Sequence, residues 1–193
     1  MFTGIVETTG TVEAMEVSGK NITFTIRSSI SSQLKIDQSV AHDGVCLTIT
    51  SVSGDKHTVT AIDETLKKTR LKDWQKGAVV NLERSLTLSS LVDGHLVQGH
   101  TDTVAVCEKI TDADGSRVLL LRHPEGEYFI TVPKGSVCVN GVSLTVVDSG
   151  KDYFSVALIP YTLEHTNLKE IKSGSRVNVE FDIIGKYVKR LMR

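Results

Sequence analysis

Apolar side chains along this 193-residue chain fall in short runs that alternate with polar ones, the two-residue period of strands with one buried face. The run NITFTI (21–26) sets Ile22, Phe24 and Ile26 against polar partners, and 118–121 takes the corresponding place further on. Gly54-Asp55, Asp114-Gly115 and Ser149-Gly150 separate such runs and read as hairpin turns. The spacing predicts small antiparallel barrels. Two segments predict helical caps or connections: SSISSQLKID (28–37) opens with serines suited to capping a helix, and TLKKTRLKDW (65–74) repeats Leu66, Thr69 and Leu71 at near-helical spacing. A longer helix is predicted only at the end, in DIIGKYVKRLMR (182–193). There Ile184, Tyr187, Val188 and Leu191 form one stripe, and Lys186, Lys189 and Arg190 face elsewhere. Such a stripe either folds onto its own barrel or meets copies of itself in a closed cyclic oligomer.

The pattern is written twice. Residues 40–85 realign onto 137–182 at a constant offset of 97, without a gap. GVCLT (44–48) meets GVSLT (141–145), AIDETLKKTRLK (61–72) meets LIPYTLEHTNLK (158–169), and VVNLE (79–83) meets RVNVE (176–180). The heads, GIVETTGTVEAM from Gly4 and GHTDTVAVCEKI from Gly99, also align once two residues are removed from the second copy. A period near one hundred is a whole domain with its own core, not a solenoid unit. The division expected is 1–96 and 97–182 for the two copies and 183–193 for the helix. Two similar pockets per chain follow.

A formal net charge of −1 and a 40% hydrophobic composition describe an ordinary globular protein with no charge run for a polyanion, which excludes nucleic acid as a partner. The start MFTGIVETTG lacks a basic segment and apolar core, and no apolar run approaches the ~20 residues that cross a bilayer. A cytoplasmic protein with no membrane partner is expected. Three cysteines, 46, 107 and 138, lie outside any CxxC or Cys/His metal spacing, so free thiols are expected, with neither disulfide nor metal. His42, His57, His123 and His165 form no metal constellation, and His95 reads as structural.

Five motifs in order, MFTGIV (1–6), SVAHDGVCLT (39–48), GHLVQGH (94–100), NGVSLTVV (140–147) and IPYTLEHT (159–166), closely resemble riboflavin synthase of the alpha-chain type over nearly the whole chain. That resemblance implies an all-β fold of two tandem six-stranded antiparallel Greek-key barrels related by duplication, plus a C-terminal α-helix that holds a homotrimer. Each active site would lie between the N-terminal barrel of one subunit and the C-terminal barrel of its neighbour. It implies a transfer of four carbons between two molecules of 6,7-dimethyl-8-ribityllumazine, yielding riboflavin and 5-amino-6-ribitylamino-uracil. No cofactor or metal is implied, and some relatives associate with lumazine synthase. Related pockets suit the chemistry, because holding two identical reactants face to face turns a bimolecular encounter into a local one.

The two substrates play different roles, so differences between copies locate the chemistry. Cys46 stands against Ser143 in the GVxLT motif. A lone cysteine among apolar neighbours is ordinarily a buried structural residue, but the matched polar serine points to a position facing a ligand. There a thiolate can add to the electrophilic ring carbon, or the thiol can hydrogen-bond the anion left when the methyl loses a proton. His100 stands against Ile5, after the matched Gly99 and Gly4. A histidine before a strand is more often structural, yet the resemblance places His100 at a proton-transfer position, and imidazole titrates near neutrality. Cys46, His100 and Ser143 are the expected catalytic set.

Substrate contacts are expected from the backbone of Gly4, Ile5 and Val6 and of Gly99, His100 and Thr101, where glycine lets the main chain approach a ring. Further contacts are Cys46, Leu47 and Thr48, and Ser143, Leu144 and Thr145. Thr60, Ala61, Ile62, Asp63, Glu64 and Thr65, with Ala157, Leu158, Ile159, Pro160, Tyr161 and Thr162, would hold the ribityl chain and uracil edge, since a polyol and a uracil take many neutral hydrogen bonds. Some of their threonines serve equally as helix caps. Lys134 is added by resemblance; composition alone makes it a solvated lysine. Phe2 and Ser39 match residues near the family's active centre, and Asp182 is either a carboxylate at a subunit boundary or the terminal helix's N-cap. Two rival readings stand: a noncatalytic lumazine- or flavin-binding antenna of the same fold, altered at the Cys and His motif positions that are intact here, and a flavin module beside a nucleotide-binding domain, whose GxGxxG turn is absent.

Overall fold

The computed structural model describes residues 1–113 and 115–192; Asp114, half of one expected turn, and Arg193 lie outside them. Among the described residues, twelve strands close two antiparallel barrels. Barrel one comprises β1 (Thr8–Ser18), β2 (Asn21–Arg27), β3 (Ser39–His42), β4 (Val45–Ser53), β5 (Lys56–Ala61) and β6 (Val79–Arg84). Barrel two repeats them as β7 (Thr103–Ala113), β8 (Ser116–Arg122), β9 (Ser136–Val139), β10 (Val142–Ser149), β11 (Tyr153–Leu158) and β12 (Arg176–Phe181). Around barrel one the order is β1-β2-β5-β4-β3-β6, and barrel two has the same circuit. The two extra residues of the second copy fall between β8 and β9.

Alternation turns one face of each strand inward. Phe24 and Ile26 of β2 and Leu119 and Leu121 of β8 are buried. Register shifts break the pairing between Val12 and Ala14 and between Ile49 and Ser51, and again between Cys107 and Lys109 and between Val146 and Asp148. Bulges sharpen local bend and twist, which small barrels need in order to close. That all of them recur at matched positions shows that the duplication copied the closure as well as the core. Trp74 lies edge-on to Phe24 in barrel one, with centroids 4.9 Å apart; Phe129 stacks on Phe181 at 5.0 Å in barrel two.

The helical segment expected within 65–74 is α1 (Asp63–Lys68) followed by a 3-10 turn, Leu71–Asp73, and barrel two repeats the arrangement as α2 (Pro160–His165) and Asn167–Glu170. Asp63 and Glu64 open α1 and Lys67 and Lys68 close it, the order that suits the helix dipole. The segment 28–37 is not a helix but a single 3-10 turn, Ser31–Gln33. Buried Ile30 and Leu34 plug the barrel end there, and the capping serines are spent elsewhere: Ser28 and Ser31 bond each other, and Ser31 bonds His57.

The barrels meet across a pseudo-twofold axis of buried polar groups. Asn81 Nδ2 donates to the Asn140 carbonyl and Asn178 Nδ2 to the Asp43 carbonyl, both at 2.9 Å. Asn81 N donates to Asp43 Oδ1 and Asn178 N to Asn140 Oδ1. At the axis Gly44 and Gly141, at φ +76° and +80°, approach so closely that a Cβ on either would lie 2.7 Å from the other's nitrogen. After β12 comes α3 (Ile183–Leu191), N-capped by Asp182, whose Oδ1 accepts from Ile184 N at 2.9 Å. Its stripe faces solvent in the single chain, with Ile184, Tyr187, Val188 and Leu191 all exposed.

Candidate active site

The heads cross over. Gly4, ahead of β1, accepts a hydrogen bond from Ser143 N of barrel two at 2.7 Å, and Gly99, ahead of β7, accepts one from Cys46 N of barrel one at 2.8 Å. Both glycines have positive φ, and a Cβ on Gly99 would sit 2.6 Å from that of Cys46, while one on Gly4 would sit 2.7 Å from that of Ser143. Only glycine fits there. At each crossing a strand of one barrel therefore faces the head of the other.

Two buried carboxylates hold the heads. Glu83 on β6 accepts from Thr3 N, Thr3 Oγ1 and Gly4 N at 2.7, 2.8 and 3.0 Å. Its counterpart Glu180 on β12 accepts from Gln98, Gly99 and His100 N at 2.6, 2.9 and 2.8 Å. Burial raises the pKa of both side chains, and the amide donors oppose that shift. Neither glutamate was singled out from the sequence, although both stand in the matched VNLE and VNVE motifs.

The first pocket, about 220 Å³, is lined by Val45, Cys46, Ile62, Glu64, Thr65, Lys68, Thr69, Gly99, His100 and Thr101. It brings together Cys46, half-buried, and His100, exposed, with the rim of α1, where Glu64 pairs with Lys68 at 2.8 Å. Thr65 is half-buried and its carbonyl accepts from Thr69 Oγ1. Asp63 faces away into an ion pair with Lys67. Leu47 and Ala61 point into the barrel core, Thr48 is exposed beside Ser39 in register, and Thr60 bonds Thr23. Phe2, fully buried, packs with Ala41, Val97 and Cys138 against Cys46.

The matched positions in barrel two differ in character. Ser143 Oγ lies 2.7 Å from Nδ1 of His95, a side chain read from the sequence as structural. Burial lowers the His95 pKa, against the opposing charge of Asp182. Tyr161 and His165, counterparts of Glu64 and Lys68, stack at 4.0 Å. Ile5, Ile159 and Tyr161 are exposed, as are Thr145, Ala157 and Pro160; Val6 packs on barrel two, Thr162 is half-buried, and Leu144 and Leu158 belong to its core. Lys134 is exposed at φ +69° in the loop before β9, its N–H bonded to the Val146 carbonyl. A groove of about 410 Å³ between the 3-10 turns, lined by Arg70, Asp73 and Arg176 among others, holds none of the expected site residues. Among the described residues there is no cluster of His, Cys, Asp and Glu able to hold a metal, the cysteines are free, and no helix is long and apolar enough to cross a membrane.

A family model described as the lumazine binding domain matches the chain twice, over residues 3–85 and 98–182. The chain belongs to the riboflavin synthase family of lumazine-binding proteins. It is 39% identical to riboflavin synthase of Bacillus subtilis, covering 100% of this chain and 90% of that protein. To riboflavin synthase of Mycobacterium tuberculosis it is also 39% identical, over 100% and 98%, and to that of Saccharomyces cerevisiae 34%, over 98% and 85%. Relatives of that name across bacteria and yeast place the chain among enzymes. LumP complexed with 6,7-dimethyl-8-(1'-D-ribityl) lumazine shares the fold with a TM-score of 0.84 at 24% identity, over 94% of this chain and 99% of that one. LumP complexed with riboflavin does so at 0.86. At that identity the likeness concerns the fold alone.

Proposed function

We propose that the chain catalyses the dismutation of two 6,7-dimethyl-8-ribityllumazine molecules into riboflavin and 5-amino-6-ribitylamino-uracil, using neither metal nor cofactor. The observation that carries the reading is the crossed construction. Two matched crossings of head and strand share one architecture, which suits two copies of one heterocycle, yet they differ at Cys46 against Ser143 and at His100 against Ile5. A dismutation needs both properties, one substrate class and two roles.

In this reading His100 takes the proton from the acidic ring methyl of one lumazine, and the Cys46 thiol hydrogen-bonds the resulting anion or adds as thiolate to the ring carbon. Ser143 takes the matching place against the second lumazine. The head backbones at 4–6 and 99–101 run along the rings. Residues 46–48 and 143–145 supply the strand side, and 60–65 and 157–162 meet the ribityl chains, with Lys134 as a peripheral contact. Copies of α3 cover each other's stripes in a homotrimer, which brings pockets of neighbouring subunits face to face. The division into 1–96, 97–182 and 183–193, a cytoplasmic location and contact with lumazine synthase belong to the same proposal.

The test is turnover of 6,7-dimethyl-8-ribityllumazine by metal-free protein, followed by riboflavin absorbance, beside Cys46→Ser and His100→Gln. Riboflavin formed by the parent and lowered by about 10²-fold or more in His100→Gln is the expected result. Binding without turnover would favour the antenna-type carrier, and absence of binding would sink both readings.

A further inference from the structure

The head that carries His100 is fastened from a place the other head does not use. Asp102, two residues after His100, accepts from Phe181 N at 2.8 Å and donates its own N–H to the Val179 carbonyl. Its carboxylate also receives Lys186 Nζ of α3 on both oxygens, at 2.7 and 2.6 Å. The pair is largely shielded, with side chains 16% and 19% exposed.

Comparison of the copies shows what this cation replaces. The counterpart of Asp102 is Glu7, which pairs with Arg84 at the end of β6, Nε to Oε2 at 2.9 Å. The counterpart of Arg84 on β12 is Phe181, which is apolar and buried. Barrel two therefore has an apolar residue where barrel one has its strand cation, and the terminal helix that follows barrel two supplies the cation instead.

The cation has further work there. Asp102 stands near Glu180, the carboxylate that binds the amides of Gln98, Gly99 and His100. Burial is the main cause that raises the pKa of Glu180; the charge of Asp102 adds a smaller push in the same direction, and Lys186 opposes both. Neighbouring like charges disfavour each other unless a cation offsets them, and removing one partner of a shielded pair leaves the other uncompensated. The His100 ring makes no hydrogen bond among the described residues, so its place is set by the backbone that these carboxylates hold.

We propose that Lys186 is a positioning residue for His100, by which the terminal helix braces the reactive head through Asp102. This rests on the reading that His100 acts in the reaction. The helix is then more than an assembly element: its inner face serves the pocket while its outer stripe meets neighbouring subunits.

Lys186→Met, Lys186→Arg and Asp102→Asn test it in the full chain, with three readouts: hydrogen exchange of residues 98–102, steady-state kinetics with 6,7-dimethyl-8-ribityllumazine, and subunit mass by sedimentation. In Lys186→Met and Asp102→Asn, exchange of these amides should quicken about tenfold or more, the effect of a local opening made cheaper by about 1.4 kcal/mol. In both, kcat should fall by a similar factor while KM and subunit mass hold. Lys186→Arg should restore both. Unchanged exchange and kcat in Lys186→Met would overturn the proposal, and so would a loss of kcat that tracks subunit dissociation. Exchange needs no substrate, so a parent that binds but does not turn over lumazine would defeat the functional reading while the brace itself is still decided.

Discussion

His42 and His57 meet inside barrel one, Nε2 to Nε2 at 2.9 Å. His42 Nδ1 lies 3.1 Å from the Val40 carbonyl, which can only accept, so His42 carries its proton there and His57 donates between the rings. His57 Nδ1 then accepts from Ser31 Oγ. Burial pushes both pKa values down, His42 to about 3 with the neighbouring ring adding to the shift, and His57 to about 4. A folded pKa below the unfolded one means that the unfolded chain binds the protons first. Stability therefore falls as pH drops below the ordinary histidine value, by about 1.4 kcal/mol per histidine per pH unit until the folded pKa is reached. Asp43, Glu83 and Glu180 are shifted upward and act in the opposite sense, so the pair is isolated by comparison. Barrel two has Val139 and Phe154 at the matched places. Between pH 6 and 4 the parent should lose about 4 to 6 kcal/mol relative to His42→Val/His57→Phe, measured by urea unfolding; parallel pH curves would refute it. At this scale the copies made Cys46 and His100 stand out as candidates, because each had a partner that differed, and the fold brings both to one pocket. His95 did not, since 86–97 joins the copies and offers no second version for comparison. Glu83 and Glu180 hid for the opposite reason: being identical, they looked like strand residues.

The elements were readable wherever a period ran long enough. The strands announced themselves by alternation and α3 by its stripe, but bulges left no signature, since one extra residue merely shifts the phase of a short run. The segment 28–37 misled because serine serves a cap, a turn or a buried side-chain bond equally well, and only the neighbour His57 decides between them. For α3 the sequence left open which side the stripe would face. The structure turns it away from its own barrel and ties the polar face down through Lys186. Leu191→Asp, at a position 84% exposed in the single chain, should leave the melting temperature of the barrels within a few degrees, as exposed substitutions do. It should also shift the sedimenting species toward monomer with loss of turnover. A charged stripe that leaves subunit mass unchanged would show that α3 is not the assembly surface.

For the molecule as a whole, the offset of 97 announced two barrels but was silent on how they touch. Self-alignment pairs equivalent residues, whereas the interface pairs Gly44 with Gly141 across an axis and sends each head to the other barrel. Gly44→Ala would force a positive φ and a collision at 2.7 Å, for an expected loss of about 3 kcal/mol or more in a urea titration, and pocket occupancy by lumazine should weaken with it. A substitution that costs less than about 1 kcal/mol would mean that the axis can relax. The crossed heads also bear on how the chain comes apart. Neither barrel can melt without releasing the head that its partner holds, so the two barrels are expected to unfold as one cooperative unit. Calorimetry should record a single transition whose calorimetric and van't Hoff enthalpies agree, and a ligand held by either pocket should protect both barrels alike.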